Sequence, residues 1–161
     1  MAKATPVPRR SRRVRGLKTR RYTVDASVFV NAFNPHEDGH AESLQILAAI
    51  HQHGDPVIVP ALLLPEIASA VARASDDSVG ALQYANATAA LPHVTLVTLT
   101  HALARQAAEL AATHRLRGAD AVYLAVARRY GTTLVSRDDE QRTRASTVTI
   151  CQTPEDALNA R

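Results

Sequence analysis

Four acidic side chains sit against apolar runs: Asp25 in Y-T-V-D-A-S, Glu66 in L-L-L-P-E-I, Asp120 in R-G-A-D-A-V and Asp138 in T-L-V-S-R-D. An unpaired carboxylate in such surroundings is costly. If the four converge, each pair about 4 Å apart repels by roughly 4 kcal/mol at an effective dielectric near 20. They then raise one another's pKa until some protonate, unless a cation stands between them. Mg²⁺ or Mn²⁺ suits an all-oxygen donor set, keeps several waters and binds substrate phosphate. The chemistry open to such a set is metal-assisted cleavage of a phosphodiester. Zinc has no thiolate set, because Cys151 is the only cysteine.

Each acid also has a plainer reading. Asp is a preferred helix N-cap and is favoured by the helix dipole, so three of the four can be caps. Glu66 can be a solvated glutamate on the polar stripe of its helix. Caps have no reason to gather, whereas metal ligands must.

The elements that would have to bring them together alternate along the chain. Residues 21–25 form a short β-rich run ending in Asp25, followed by a helical stretch over Val28–Phe33 that Asn34-Pro35 breaks. His40–His53 is an amphipathic helix closed by Gly54. Pro56–Pro60 is a compact strand, and Ala61–Arg73 a helix carrying Glu66, with Pro65 tolerated in its first turn. Asp76 or Asp77 caps a helix running to about Ala90. A strand follows over Val94–Leu99, then a helix over His101–His114. Ala119–Tyr130 is apolar nearly all round, which marks a buried helix, and Tyr123 reads as core. Thr132–Ser136 is a strand, Asp138–Arg142 a short helix, Val148–Cys151 a last strand, and Thr153-Pro154 opens a terminal helix. This alternation implies a three-layer α/β/α sandwich around a mostly parallel sheet. In such sheets ligands bind beyond the carboxyl ends of the strands, where Asp25 and Asp138 fall.

Composition bounds the rest. At 161 residues and 46% hydrophobic, the chain suits one domain with a proper core. No apolar run approaches the roughly 20 residues of a membrane span, and a lone cysteine suits a reducing compartment, so a cytoplasmic location is expected. Charge divides the chain. Residues 1–21 hold nine basic side chains and no acid, which leaves ten basic against fifteen acidic residues beyond them, a net of −5. Residues 1–20 therefore read as a basic flexible arm and 21–161 as an acidic domain. Such an arm suits nucleic acid or another anionic surface, and equally a solubilising extension.

Taken in order, the four motifs resemble those of the PIN domain family, and within it the VapC-type toxins of bacterial toxin–antitoxin pairs. Y-T-V-D-A-S-V-F-V resembles the opening strand with its first acid, Asp25, and companion hydroxyl, Ser27. L-L-L-P-E-I resembles the second motif with Glu66. R-L-R-G-A-D-A-V-Y resembles the third with Asp120, and T-T-L-V-S-R-D-D-E the fourth, where hydroxyl-x-Asp spacing selects Ser136 and Asp138 over Asp139. The resemblance implies Mg²⁺- or Mn²⁺-dependent RNA cleavage, a homodimer and inhibition by a small antitoxin protein. Asp25, Asp120 and Asp138 would then hold metal, Glu66 would complete the site or orient water, and Ser27 and Ser136 would orient the carboxylates. Arg115, Arg117 and Arg137, next to the third and fourth acids, are the candidates for RNA backbone contacts. Two other classes compete: a non-catalytic α/β module that binds RNA or a partner, with the acids as caps, and a DNA-acting nuclease of similar fold. A strand-end aspartyl-phosphate phosphatase fits poorly. It needs a second acid where Ser27 stands, and Lys3 and Lys18 are the only lysines.

Overall fold

A computed structural model of the protein describes residues 20–161. The basic arm expected over residues 1–20 therefore lies almost wholly outside the described residues. Of it, Arg20 is seen donating hydrogen bonds to the carbonyls of Ala160 (2.5 Å) and Arg161 (2.9 Å).

Five parallel strands form the sheet: β1 (Tyr22–Val24), β2 (Val57–Pro60), β3 (Val94–Val97), β4 (Thr133–Val135) and β5 (Cys151–Gln152), in spatial order β3-β2-β1-β4-β5. Among the described residues eight helices flank it: α1 (Ala26–Phe33), α2 (His40–His53), α3 (Leu63–Ser75), α4 (Ser78–Ala89), α5 (His101–His114), α6 (Gly118–Tyr130), α7 (Asp139–Ala145) and α8 (Pro154–Asn159). The α/β/α sandwich and parallel sheet expected from the sequence are both present. Helix α6 lies on β1, β2 and β4, while α2 packs against both α1 and α8. That explains the all-round apolar character of α6, where Ala121 to Ala127 are all buried. No described helix is long and apolar enough to cross a membrane.

The chain builds outward from β1 in one direction to β2 and β3, then returns past it to β4 and β5. The order thus reverses between β1 and β4, and a crevice opens there at the strands' carboxyl ends. Register fixes what reaches it. Tyr22 pairs with Thr133, Thr23 with Leu134 and Val24 with Val135. Asp25 N–H then closes the ladder on the Val135 carbonyl at 2.9 Å, which delivers the Asp25 side chain to the mouth of the crevice.

Several element ends differ from the sequence expectation, each for a local reason. Strand β3 stops at Val97, because Thr100 turns out to cap α5 through its side chain. Strand β5 begins only at Cys151, because Val148 and Thr149 N–H groups bond the Ala145 carbonyl and close a turn after α7. Helix α7 runs to Ala145, with Asp138 as its cap rather than its first residue. Pro65 is the third residue of α3, where its missing N–H is one of the helix's unpaired donors in any case.

Leu124, fully buried in α6, anchors this core. Leu124→Ala should cost about 2–5 kcal/mol, against less than about 0.5 kcal/mol for Leu82→Ala on the exposed face of α4. Urea denaturation of both variants checks the contrast.

Candidate active site

All four sequence-selected acids line one pocket of about 370 Å³ at the crevice. Asp25 follows β1 and Asp138 lies three residues past β4. Glu66 and Asp120 lie in the first turns of α3 and α6. A larger pocket of about 540 Å³, around Arg20, Arg21, Tyr22 and Thr133, opens at the opposite, amino ends of β1 and β4 and has no carboxylate in its wall. Volume alone would choose wrongly.

Cap and site are not alternatives for two of the acids. Asp25 caps α1, its Oδ2 accepting from Ser27 N–H at 2.8 Å, and Asp138 caps α7, its Oδ1 accepting from Gln141 N–H at 3.0 Å. Each uses one oxygen for its helix and turns the other toward the pocket or its walls. Asp120 caps nothing, since Arg117 is the N-cap residue of α6 and makes no side-chain cap bond. The carboxylate of Glu66 accepts from the buried Tyr123 hydroxyl at 2.7 Å. Asp139 is 93% exposed and pairs with Arg142, so Asp138 is the member of that doublet at the pocket.

The electrostatics are those of crowded carboxylates. Burial raises the Asp25 carboxyl above its ordinary value, hydrogen bonds from Ser27 and Gln141 oppose the rise, and Asp138 adds to it. Burial likewise raises Glu66, against the Tyr123 hydrogen bond and with repulsion from Asp25 and Asp120. Asp120 is pushed up to about 6, first by burial, then by Asp25 and Asp138. Arg117 offsets little. It lies 3.6 Å from Asp138 and 3.9 Å from Glu140, and at 73% exposure such pairs are worth little.

The two serines join the walls. Ser27 Oγ accepts from Arg137 N–H at 3.2 Å, tying α1 to the loop after β4. Ser136 Oγ accepts from Asp138 N–H at 3.1 Å. Of the three arginines expected at the rim, Arg117 alone lines the pocket. Arg137 instead donates to the Asp38 carbonyl at 2.6 Å, its guanidinium filling the space where a Cβ on left-handed Gly39 would stand. Arg115 ends α5 in the left-handed region (φ 56°), and its carbonyl accepts from Arg144. Sequence reasoning missed Ser69 and Arg73, which lie one and two turns along the Glu66 face of α3 and line the pocket. It also read Tyr123 as core only and passed over Gln141.

The donor set fits a hard dication: four carboxylates, each partly withdrawn from water, and no histidine or cysteine in the wall. Among the described residues no three acidic, histidine or cysteine side chains form a finished coordination cluster. An ion would complete its shell with water or substrate oxygen.

The PIN domain family's sequence model matches residues 22–146. Solved structures share the fold. VapC20 of Mycobacterium tuberculosis, a sarcin-ricin loop cleaving toxin, is 21% identical over 76% of this chain and 93% of its own, with TM-score 0.66. VapBC2 of Rickettsia felis, bound to a DNA fragment from its promoter, is 14% identical over 83% and 98%, with TM-score 0.63. FitAcB of Neisseria gonorrhoeae is 18% identical over 83% and 98%, with TM-score 0.59. No curated protein matches the sequence.

Asp120 carries a pH signature. Between about pH 4 and pH 6 the folded, metal-free protein holds a proton there that the unfolded chain, with its ordinary value of 3.8, has released. Binding more protons when folded means stability rises as pH falls through that window and is lowest above it. Asp120→Asn should flatten this dependence and raise the metal-free melting temperature at neutral pH. Thermal melts in chelator across the window read both effects.

Proposed function

The chain belongs to the PIN domain family, and from that premise we propose that it is a Mg²⁺- or Mn²⁺-dependent endoribonuclease, the toxin of a toxin–antitoxin pair working in the cytoplasm. The observation that carries the reading is the gathering of Asp25, Glu66, Asp120 and Asp138 in one pocket, with the carboxyls of Asp25, Glu66 and Asp120 raised by burial and mutual repulsion. Asp25, Asp120 and Asp138 would hold the metal. When bound, it lowers the pKa of a water and offsets charge on the phosphate oxygens.

The chain's own residues do the rest. Glu66 has one oxygen held by the Tyr123 hydroxyl, which leaves the other to orient the attacking water and take its proton. A bond forms from the water oxygen to phosphorus as the bond to the leaving oxygen breaks. No protein nucleophile is needed. Ser27 and Ser136 keep the loop after β4, and with it Asp138, in place. Arg117 and Arg73, both in the pocket wall and exposed, meet the RNA backbone on either side of the acids. Their charge supplies attraction that the acidic pocket lacks, and residues 1–20 extend it. VapC20, of the same fold, is a toxin that cleaves the sarcin-ricin loop. Phe33, Leu44, Val79 and Leu82, exposed on α1, α2 and α4, give this chain apolar surface for an antitoxin and for a second copy of itself.

Cleavage of total cellular RNA with and without EDTA tests the activity. Asp25→Asn and Asp120→Asn should each lower it at least about 100-fold with an unchanged circular dichroism spectrum; full activity in either refutes the ligand set. Deleting residues 1–20 should weaken RNA binding more at low salt than at high salt and reduce the slope of log K against log salt. An unchanged slope means the arm does not touch phosphate.

A further inference from the structure

Gln141 is almost fully buried, at 1% exposure, although an amide has four hydrogen-bonding positions to satisfy. It spends its donors on the catalytic pocket. Its backbone N–H bonds Asp138 Oδ1 at 3.0 Å, and its side-chain Nε2 bonds Asp25 Oδ1 at 3.3 Å. One residue therefore touches the first and the fourth acid. The other oxygen of Asp25 is held by Ser27 N–H, so both oxygens of the most buried of the four pocket acids are fixed by neutral donors, one from α1 and one from α7. The amide's orientation follows from charge. Turned over, it would set Oε1 against the Asp25 carboxylate. As placed, Oε1 is buried without a partner. A core position chosen for packing would carry an apolar side chain there and avoid the orphan.

We propose that Gln141 is a positioning residue that sets the spacing and orientation of Asp25 relative to Asp138 for divalent-metal binding. The inference rests on the metal-dependent reading above. It assigns to α7 a role beyond presenting its cap: the helix clamps two carboxylates that would otherwise move apart under their own repulsion. A neutral donor can do this without supplying the positive charge that the metal must bring.

Gln141→Met tests it, since it preserves bulk, removes the donor and the orphan together, and leaves the backbone bond to Asp138 intact. Mn²⁺ affinity is measured by calorimetry without RNA, in the wild-type and Asp25→Asn backgrounds, beside melting temperature in chelator and steady-state kinetics. In the wild-type background Mn²⁺ binding should weaken at least tenfold. kcat should fall with little change in KM, and the chelator melting temperature should hold. In the Asp25→Asn background the same substitution should change Mn²⁺ affinity little, because the group it positions is gone. Gln141→Asn, whose amide is too short to reach, should behave like Gln141→Met and serves if that variant folds poorly. Wild-type Mn²⁺ affinity in both variants, or equal losses in both backgrounds, overturns the positioning role while leaving the nuclease reading standing. A wild-type protein that takes up no Mn²⁺ at all overturns both.

Discussion

Repulsion among carboxylates withdrawn from water is the constraint around which this molecule is arranged. A parallel sheet whose strand order reverses between β1 and β4 opens a crevice, and four acids from four separate elements are brought to it. Among the described residues only Arg117 forms an ion pair with any of the four, and it is mostly in solvent. The pocket is therefore a stored electrostatic cost, relieved by protons on the raised carboxyls and, on the function proposed above, by a dication.

The surroundings hold the acids without cancelling their charge. Ser27 N–H, Gln141 Nε2 and the Tyr123 hydroxyl are neutral donors, each aimed at one carboxylate oxygen. Short helices make this economical. A single turn of α1 or α7 both ends a strand connection and aims a carboxylate, so capping and site-building are one geometry. The buried face of α6 does likewise: it forms the core against β1, β2 and β4 and delivers Asp120 and Tyr123 to the crevice. Leu124 and its neighbours thus serve function by keeping that helix in register with the strands.

Much of this was legible in the sequence because it is local. The alternation of strands and helices, the all-apolar character of residues 121–127 and the strand-end position of Asp25 follow from runs of a few residues. The four acids stood out since each interrupts such a run. What escaped depends on long-range approach. Tyr123 meets Glu66 across 57 positions and Gln141 meets Asp25 across 116, and neither spacing carries a pattern. Tyr123 is indeed core by burial, yet its hydroxyl reaches the site. Arg137 looked like a rim residue from its neighbours in sequence, but the loop after β4 directs it toward Asp38 and Gly39. Arg73 was read only as the end of a helix, though it follows Glu66 by seven residues and so shares its face. That spacing was the one available signal left unused.

Anomalous scattering from crystals grown with Mn²⁺ addresses the central claim most directly. The account predicts a strong peak bounded by the side chains of Asp25, Asp120 and Asp138, absent from crystals of the Asp25→Asn protein. Saturating Mn²⁺ that leaves this crevice without a peak, or ions that settle elsewhere on the molecule, would contradict it.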